Sequence, residues 1–207
     1  MKNKIGIVGQ GFVGTAVREG LKTFFDIETY DIVKDSTCDS LDEICKKCNI
    51  MFVCLPTPMQ QDGGCYVGIV EEVLEKINAL NNCKTIIVKS TIPPGTTAKW
   101  NNMFDNIDIV FNPEFLTEAN SVNDFKNQTR IIIGGPKKAA SRVRRLFVKA
   151  FPKVKIIKTD STYAEMVKYV TNCFLAMKVS FANEMYEISN ALDIDYDKVI
   201  EYAMHDD

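Results

Sequence analysis

The chain has 207 residues, a net charge of −2 and 46% hydrophobic content. That is enough apolar material for a core of its own, on a scale of one domain and part of a second. A near-neutral charge with no basic stripe interleaved with aromatics argues against nucleic acid as a partner.

The N-terminus, "MKNKIGIVGQG", has lysines before an apolar stretch, but glycine breaks it early and no small-residue cleavage site follows. No apolar run is long enough to cross a bilayer. Candidate strands follow in order: 4–9, 27–31, 49–55, 84–90, 107–112 and 130–135, with "KVKIIK" at 153–158 as one more. They are short, rich in Ile and Val and apolar nearly throughout, as strands are when both faces are covered. Helical patterns at 12–24, 39–47, 67–80, 95–103 and 137–149 lie between several of them. This alternation predicts an α/β fold, a Rossmann-like doubly wound parallel sheet with right-handed crossovers.

The texture changes after Asp160. From Ser161 to about Ala191 there is neither Gly nor Pro, and apolar residues recur every three or four positions. One long helix is predicted there, followed by a turn and a helix opening at an Asp cap. The expected organisation is a cofactor domain over 1–160 and the start of a central helical domain over 161–207. The basic stretch "KKAASRVRRLFVK" has helical apolar spacing, so its charges form a solvated face. Seven scattered cysteines, several in apolar runs such as those of Cys54 and Cys173, read as buried reduced thiols of a cytoplasmic protein. "CKKC" (Cys45, Cys48) has no second pair, the only histidine is His205, and no metal site is expected.

Three strand exits carry chemistry. "GQGFVG" places Gly9, Gly11 and Gly14 between a strand and a helix, the spacing that lets a pyrophosphate approach the free N–H groups of a helix N-terminus. Asp31 ends the second strand, where an acid holds adenosine ribose hydroxyls and favours NAD over NADP. "CLPTP" and "STIPPGTT" leave the next two strands through prolines, which hold loops at the carboxyl edge of the sheet. "NPEFLTEA" leaves the fifth with two carboxylates, Glu114 and Glu118. On the long helix, Lys168 and Asn172 are spaced i, i+4 on one face, an ammonium and an amide suited to a developing negative oxygen.

These stretches, with "NPEFLTEANSVNDFKNQTRIIIGG" and "AEMVKYVTNCFLAMKVSFANE", resemble the nucleotide-sugar dehydrogenase family, the UDP-glucose and GDP-mannose 6-dehydrogenases. The resemblance spans nearly the whole chain and lies closest to the UDP-glucose enzymes. It implies NAD-dependent oxidation of a sugar C6 alcohol to a carboxylate in two hydride steps, with a nucleotide sugar as substrate. It places Gly9, Gly11, Phe12, Val13, Gly14, Asp31, Lys34, Pro56, Thr57, Thr91 and Glu118 at the cofactor. It places Glu114, Phe115, Leu116, Glu118, Lys168 and Asn172 at the sugar, with Thr91, Glu114, Glu118, Lys168 and Asn172 catalytic. Thr117, Ala119 and Cys65 stand where the family commonly has Arg, Gly and Asp. The family's nucleophilic cysteine and nucleotide-sugar-binding domain lie beyond the matched stretches, so the chain reads as the N-terminal portion of such an enzyme.

Two alternatives remain open in the sequence. A short-substrate β-hydroxyacid dehydrogenase shares the glycine fingerprint and the Lys-x-x-x-Asn pattern, and a non-catalytic NAD-binding relative needs no nucleophile. The long helix carries two apolar stripes, one through Met166, Val170, Phe174, Met177 and Phe181, the other through Tyr169, Leu175, Val179, Ala182 and Tyr186. One is expected to pack on the cofactor domain and the other to join a homodimer.

Overall fold

The computed structural model describes residues 4–81 and 85–205. Seven strands form one sheet in the order β2-β1-β3-β4-β5-β6-β7: β1 Lys4–Val8, β2 Asp26–Tyr30, β3 Ile50–Val53, β4 Thr85–Val88, β5 Asp108–Phe111, β6 Arg130–Gly134 and β7 Lys155–Thr159. The helices are α1 Phe12–Leu21, α2 Leu41–Lys47, α3 Gly68–Leu80, α4 Thr96–Met103, α5 Ser121–Lys126, α6 Lys137–Ala150, α7 Ser161–Ala191 and α8 Tyr196–Ala203. Each strand expected from sequence is present, and Asp195 caps α8 through the N–H groups of Asp197 and Lys198. Part of the candidate β4 run, Lys84, lies outside the described residues, as does Cys83.

The strands are apolar throughout because alternate residues enter two separate cores. Met51, Val53, Ile86, Val88, Ile109 and Phe111 join Ile44, Leu74 and Trp100 on the α2–α4 side. Phe52, Ile87 and Val110 join Val17, Phe125 and Phe147 on the α1, α5 and α6 side. Each face of the sheet is thus sealed, and the carboxyl edge is the place where loops can gather. At one margin β7 is half-exposed and carries Lys155 and Lys158, charges that discourage edge-to-edge pairing.

One expectation is corrected. β1–β5 run parallel, but β6 pairs with β5 antiparallel, through Phe111 and Gly134, and β7 then runs parallel to β6. A parallel connection needs a crossover of a dozen or more residues, usually a helix packed across the sheet. Between β5 and β6 the chain forms only a 3-10 turn (Glu118–Asn120) and the six-residue α5, so it re-enters the sheet from the edge it left.

The chain forms two compact units, Met1–Lys168 and Tyr169–Asp207, and α7 runs unbroken through the division. On α7, Met166 is 51% exposed, Phe174 51% and Phe181 62%, and Leu175, Val179 and Tyr186 of the other stripe are exposed as well. Cys173, expected in a core, is also exposed. Cys38, Cys45 and Cys48 are buried, and burial pushes the Cys45 thiol up to about 11 and that of Cys48 to about 12, which makes both poor nucleophiles.

Candidate active site

The fingerprint turn has no room for side chains where its backbone doubles back. Gly9 adopts φ +91°, and a Cβ there would lie 2.3 Å from the Cys54 carbonyl oxygen. A Cβ at Gly14 would lie 1.9 Å from the Gly9 carbonyl oxygen, so α1 rests directly on the turn. Gly11 differs: a Cβ would meet no protein atom within 4 Å. It caps α1 without any side-chain acceptor, and the first turn holds no acid. The opening N–H groups of α1, those of Phe12 and Val13 among them, are therefore left for an external anion, and the space beside Gly11 admits one. These features fit a dinucleotide pyrophosphate.

Asp31 follows β2, as expected, but its carboxylate already has protein partners. It accepts from Gln10 N at 2.6 Å, Val33 N at 2.8 Å and Lys34 N at 3.0 Å. Burial alone would raise its pKa, but these three bonds outweigh burial and hold it below the usual carboxylate value. Lys34 Nζ donates to the Gln10 carbonyl oxygen at 2.8 Å, so this lysine does reach the fingerprint turn. Sequence reasoning saw Asp31 as a ribose acceptor only. The structure makes it also the staple of the glycine turn, with about one of its four lone-pair positions left over.

The proline exits are cross-linked. Ser90 Oγ donates to Leu55 O at 2.7 Å and accepts from Leu55 N at 3.0 Å. Thr57 Oγ1 and Cys65 Sγ both donate to the Thr91 carbonyl oxygen, at 2.8 and 3.6 Å. Thr57 and Thr91, adjoining Pro56 and the "STIPPGTT" prolines, are thereby brought together at the carboxyl edge. Glu165, fully buried on α7, accepts from Gly95 N at 2.6 Å and Thr97 N at 2.8 Å. It caps α4 across a gap of 68 residues in sequence and ties α7 to the loop that carries Thr91.

In "NPEFLTEA" the two carboxylates have opposite surroundings. Glu114 is paired with Lys168 in a nearly sealed contact, their side chains 11% and 5% exposed. Lys168 Nζ donates at 2.7 Å to both the main-chain oxygen and Oε1 of Glu114, while Leu116 N donates to Oε2 at 2.7 Å. Two cations face the Phe115 ring, Arg130 at 4.7 Å and Lys168 at 5.7 Å from its centre. Glu118 is exposed on the 3-10 turn. Thr117, where the family commonly has Arg, donates through its N–H and hydroxyl to Asp124. Asn172 is exposed on α7 one turn beyond Lys168, in the second compact unit.

Sequence reasoning missed two buried ionisable groups here, Glu165 and Lys89. The visible signal for Lys89 was a lysine ending an otherwise apolar strand, "TIIVK". It is 3% exposed. Burial pushes its ammonium down to about 8, while the neighbouring Cys54 and Glu114 raise it and Lys168 lowers it further. The unfolded value is about 10.4, so between about pH 8 and 10.4 the unfolded chain binds the extra proton and this group's contribution to stability rises with pH. Relative to Lys89→Met, the parent is expected to gain about 2 kcal/mol between about pH 7.5 and 9.5 in denaturant titrations. Equal pH slopes for the two proteins would contradict the burial of the charge.

Comparison with known proteins identifies the family. The family model described as "UDP-glucose/GDP-mannose dehydrogenase family, NAD binding domain" matches residues 35–151, and the family's central-domain model matches residues 162–207. The chain is 30% identical to UDP-glucose 6-dehydrogenase YwqF of Bacillus subtilis, covering 92% of this chain and 46% of that protein. It is 26% identical to UDP-glucose 6-dehydrogenase TuaD of the same organism, covering 95% and 51%. In fold it is similar to a UDP-glucose dehydrogenase from Pyrobaculum islandicum, with TM-score 0.86 and 24% identity over 100% of this chain and 57% of that one. The chain spans about half the length of these curated relatives. The chain belongs to the UDP-glucose/GDP-mannose dehydrogenase family.

Proposed function

We propose that this chain supplies the NAD-binding part and the start of the central helical domain of an NAD-dependent nucleotide-sugar 6-dehydrogenase, with UDP-glucose as substrate and UDP-glucuronate as product. The domains divide near residue 160. The observation that carries the reading is the buried Glu114–Lys168 pair, set at a strand exit of a sheet whose first turn is shaped for a dinucleotide.

NAD, when bound, supplies the hydride acceptor. The turn Gly9–Gly14 and the N–H groups of Phe12 and Val13 hold its pyrophosphate; Asp31 and Lys34 stand at the adenosine end, with Pro56, Thr57 and Thr91 along the same edge. Glu114 is paired with Lys168, and that carboxylate serves to orient the ammonium. Lys168 then has the charge to stabilise oxygen as the alcohol loses its proton, with Asn172 as a second donor on the same helix face. Glu118, exposed and without a cationic partner among the described residues, is the carboxylate placed to exchange protons with substrate or water. The backbone around Phe115 and Leu116 lines the sugar.

The full-length protein, supplied with NAD⁺ and UDP-glucose, is expected to form two NADH per sugar, read at 340 nm. NADH formation with short β-hydroxyacids and not with UDP- or GDP-sugars would reverse the assignment. No NADH with any of them, alongside intact NAD binding, would favour a non-catalytic relative.

The protein is further proposed to work in the cytoplasm as a homodimer through α7, and no described helix is long and apolar enough to cross a membrane. The exposed Met166, Phe174 and Phe181 support that interface, since apolar patches of this kind mark association surfaces. Light scattering across a dilution series is expected to give a dimer mass at micromolar concentration; a constant monomer mass would rule the interface out.

A further inference from the structure

Lys89 follows β4 directly, and its ammonium is sealed beneath the site. Nζ donates to two oxygens of a single residue, Asn112: the main-chain oxygen at 3.1 Å and Oδ1 at 2.9 Å. The ammonium also lies 5.8 Å from the centre of the Phe125 ring. Burying a cation against neutral acceptors is costly, and a methionine would fill similar volume without that cost. Packing alone therefore does not account for a lysine at this position.

Asn112 does account for it. Its N–H donates to Val88 O at 2.9 Å and its Nδ2 to Ile132 O at 2.6 Å. With Lys89 added, this residue is tied to the end of β4 and the middle of β6 as it leaves β5. It does so where the antiparallel β5–β6 ladder offers one residue pair, Phe111 and Gly134. Pro113 follows, and it restricts both its own backbone and that of Asn112. Two residues past the anchor, Glu114 meets Lys168. The short arm from Asn112 to Glu114 is thus clamped by one lysine at its base and another at its tip. A cleft lined by Lys89, Pro113, Phe115, Leu116, Phe125 and Arg130 runs beside it, so an unclamped arm has space to move into.

We propose that Lys89 is a positioning residue, which anchors Asn112 so that the arm presents Glu114 to Lys168 in one fixed pose. The consequence for turnover rests on the dehydrogenase reading above; the consequence for the arm does not.

The test uses Lys89→Met, which keeps length and removes every donor, and Lys89→Gln, which keeps an N–H donor on a neutral chain. In the full-length protein, amide hydrogen exchange over residues 112–118 is expected to quicken about tenfold in Lys89→Met and less in Lys89→Gln. Exchange over residues 9–15 and the NAD dissociation constant should stay within about twofold of the parent. With nucleotide sugar, kcat should fall about tenfold or more in Lys89→Met while KM for NAD holds. Unchanged exchange over 112–118 would overturn the proposal. So would an equal loss of protection across the whole sheet, or failure of both variants to fold, since either makes Lys89 a residue of the core. A parent that turns over no nucleotide sugar sinks the dehydrogenase reading alone, and the exchange comparison still decides the role of Lys89.

Discussion

Lys168→Met is expected to lower kcat of the full-length protein by about a hundred- to a thousandfold, the range seen when a donor to a developing oxyanion is removed. NAD affinity should change little, because the fingerprint turn and Asp31 make no contact with Lys168. The variant should also be less stable. Lys168 is the cationic partner of Glu114, and removing it leaves a nearly sealed carboxylate with the Leu116 N–H. Breaking a buried pair from one side typically costs about 3–5 kcal/mol. The two effects separate in the double variant Lys168→Met with Glu114→Gln. It no longer buries a lone charge, so stability should return toward the parent, but without the ammonium activity should not. Recovery of activity along with stability would show that Lys168 acts only as a counter-ion.

The second large effect contrasts two glycines of one turn. Gly11→Val is expected to fold with a small loss of stability, about 1 kcal/mol, because valine is a poorer N-cap than glycine, and to bind NAD about a hundredfold more weakly, roughly 3 kcal/mol. Its backbone, φ −64° and ψ −169°, suits any residue, and a Cβ there meets no protein atom within 4 Å. The added Cβ would thus meet only what lies outside the protein. Gly14→Ala should lose stability and binding together, because its methyl would stand 1.9 Å from the Gly9 carbonyl oxygen and push α1 off the turn. Calorimetric titration with NAD and a thermal melt of each variant check both statements. Unaltered NAD binding by Gly11→Val would mean that the pyrophosphate does not lie at this turn.

Much of the fold was legible because each strand and most helices announce themselves locally. β-branched runs such as "TIIV" and "IDIVF" are bounded by turn residues, and α7 shows a long uninterrupted helical period. The direction of β6 was not legible in that way, because propensity is blind to strand direction. The clue was indirect: no helical pattern between "IDIVFN" and "RIIIGG" means no crossover, and α5 at six residues is too short to show a period. The site divides similarly. Gly9, Gly14, Glu114 and Lys168 were each singled out from motif and resemblance, but the ion pair between the last two was not. Lys89 and Glu165 were not, because their partners, Asn112, Gly95 and Thr97, come from other elements and become neighbours only in the folded sheet. What covers α7 was not legible for a related reason. A periodic apolar face identifies a helix but not what covers it.

The direct test of the cofactor assignment is a calorimetric comparison of NAD with NADP. Asp31 is held ionised by three backbone N–H bonds at the end of β2, so a 2′-phosphate would face a fixed negative charge. Lys34 offsets part of that charge, but it is engaged at Gln10 O and its neighbourhood is open to solvent, which weakens its pull on a phosphate. NAD should bind at least about tenfold more tightly than NADP, a difference of about 1.4 kcal/mol. In Asp31→Ala that ratio should shrink, and affinity for both cofactors should fall as the glycine turn loses its staple. Equal dissociation constants for NAD and NADP in the parent, or binding of neither, would contradict the account.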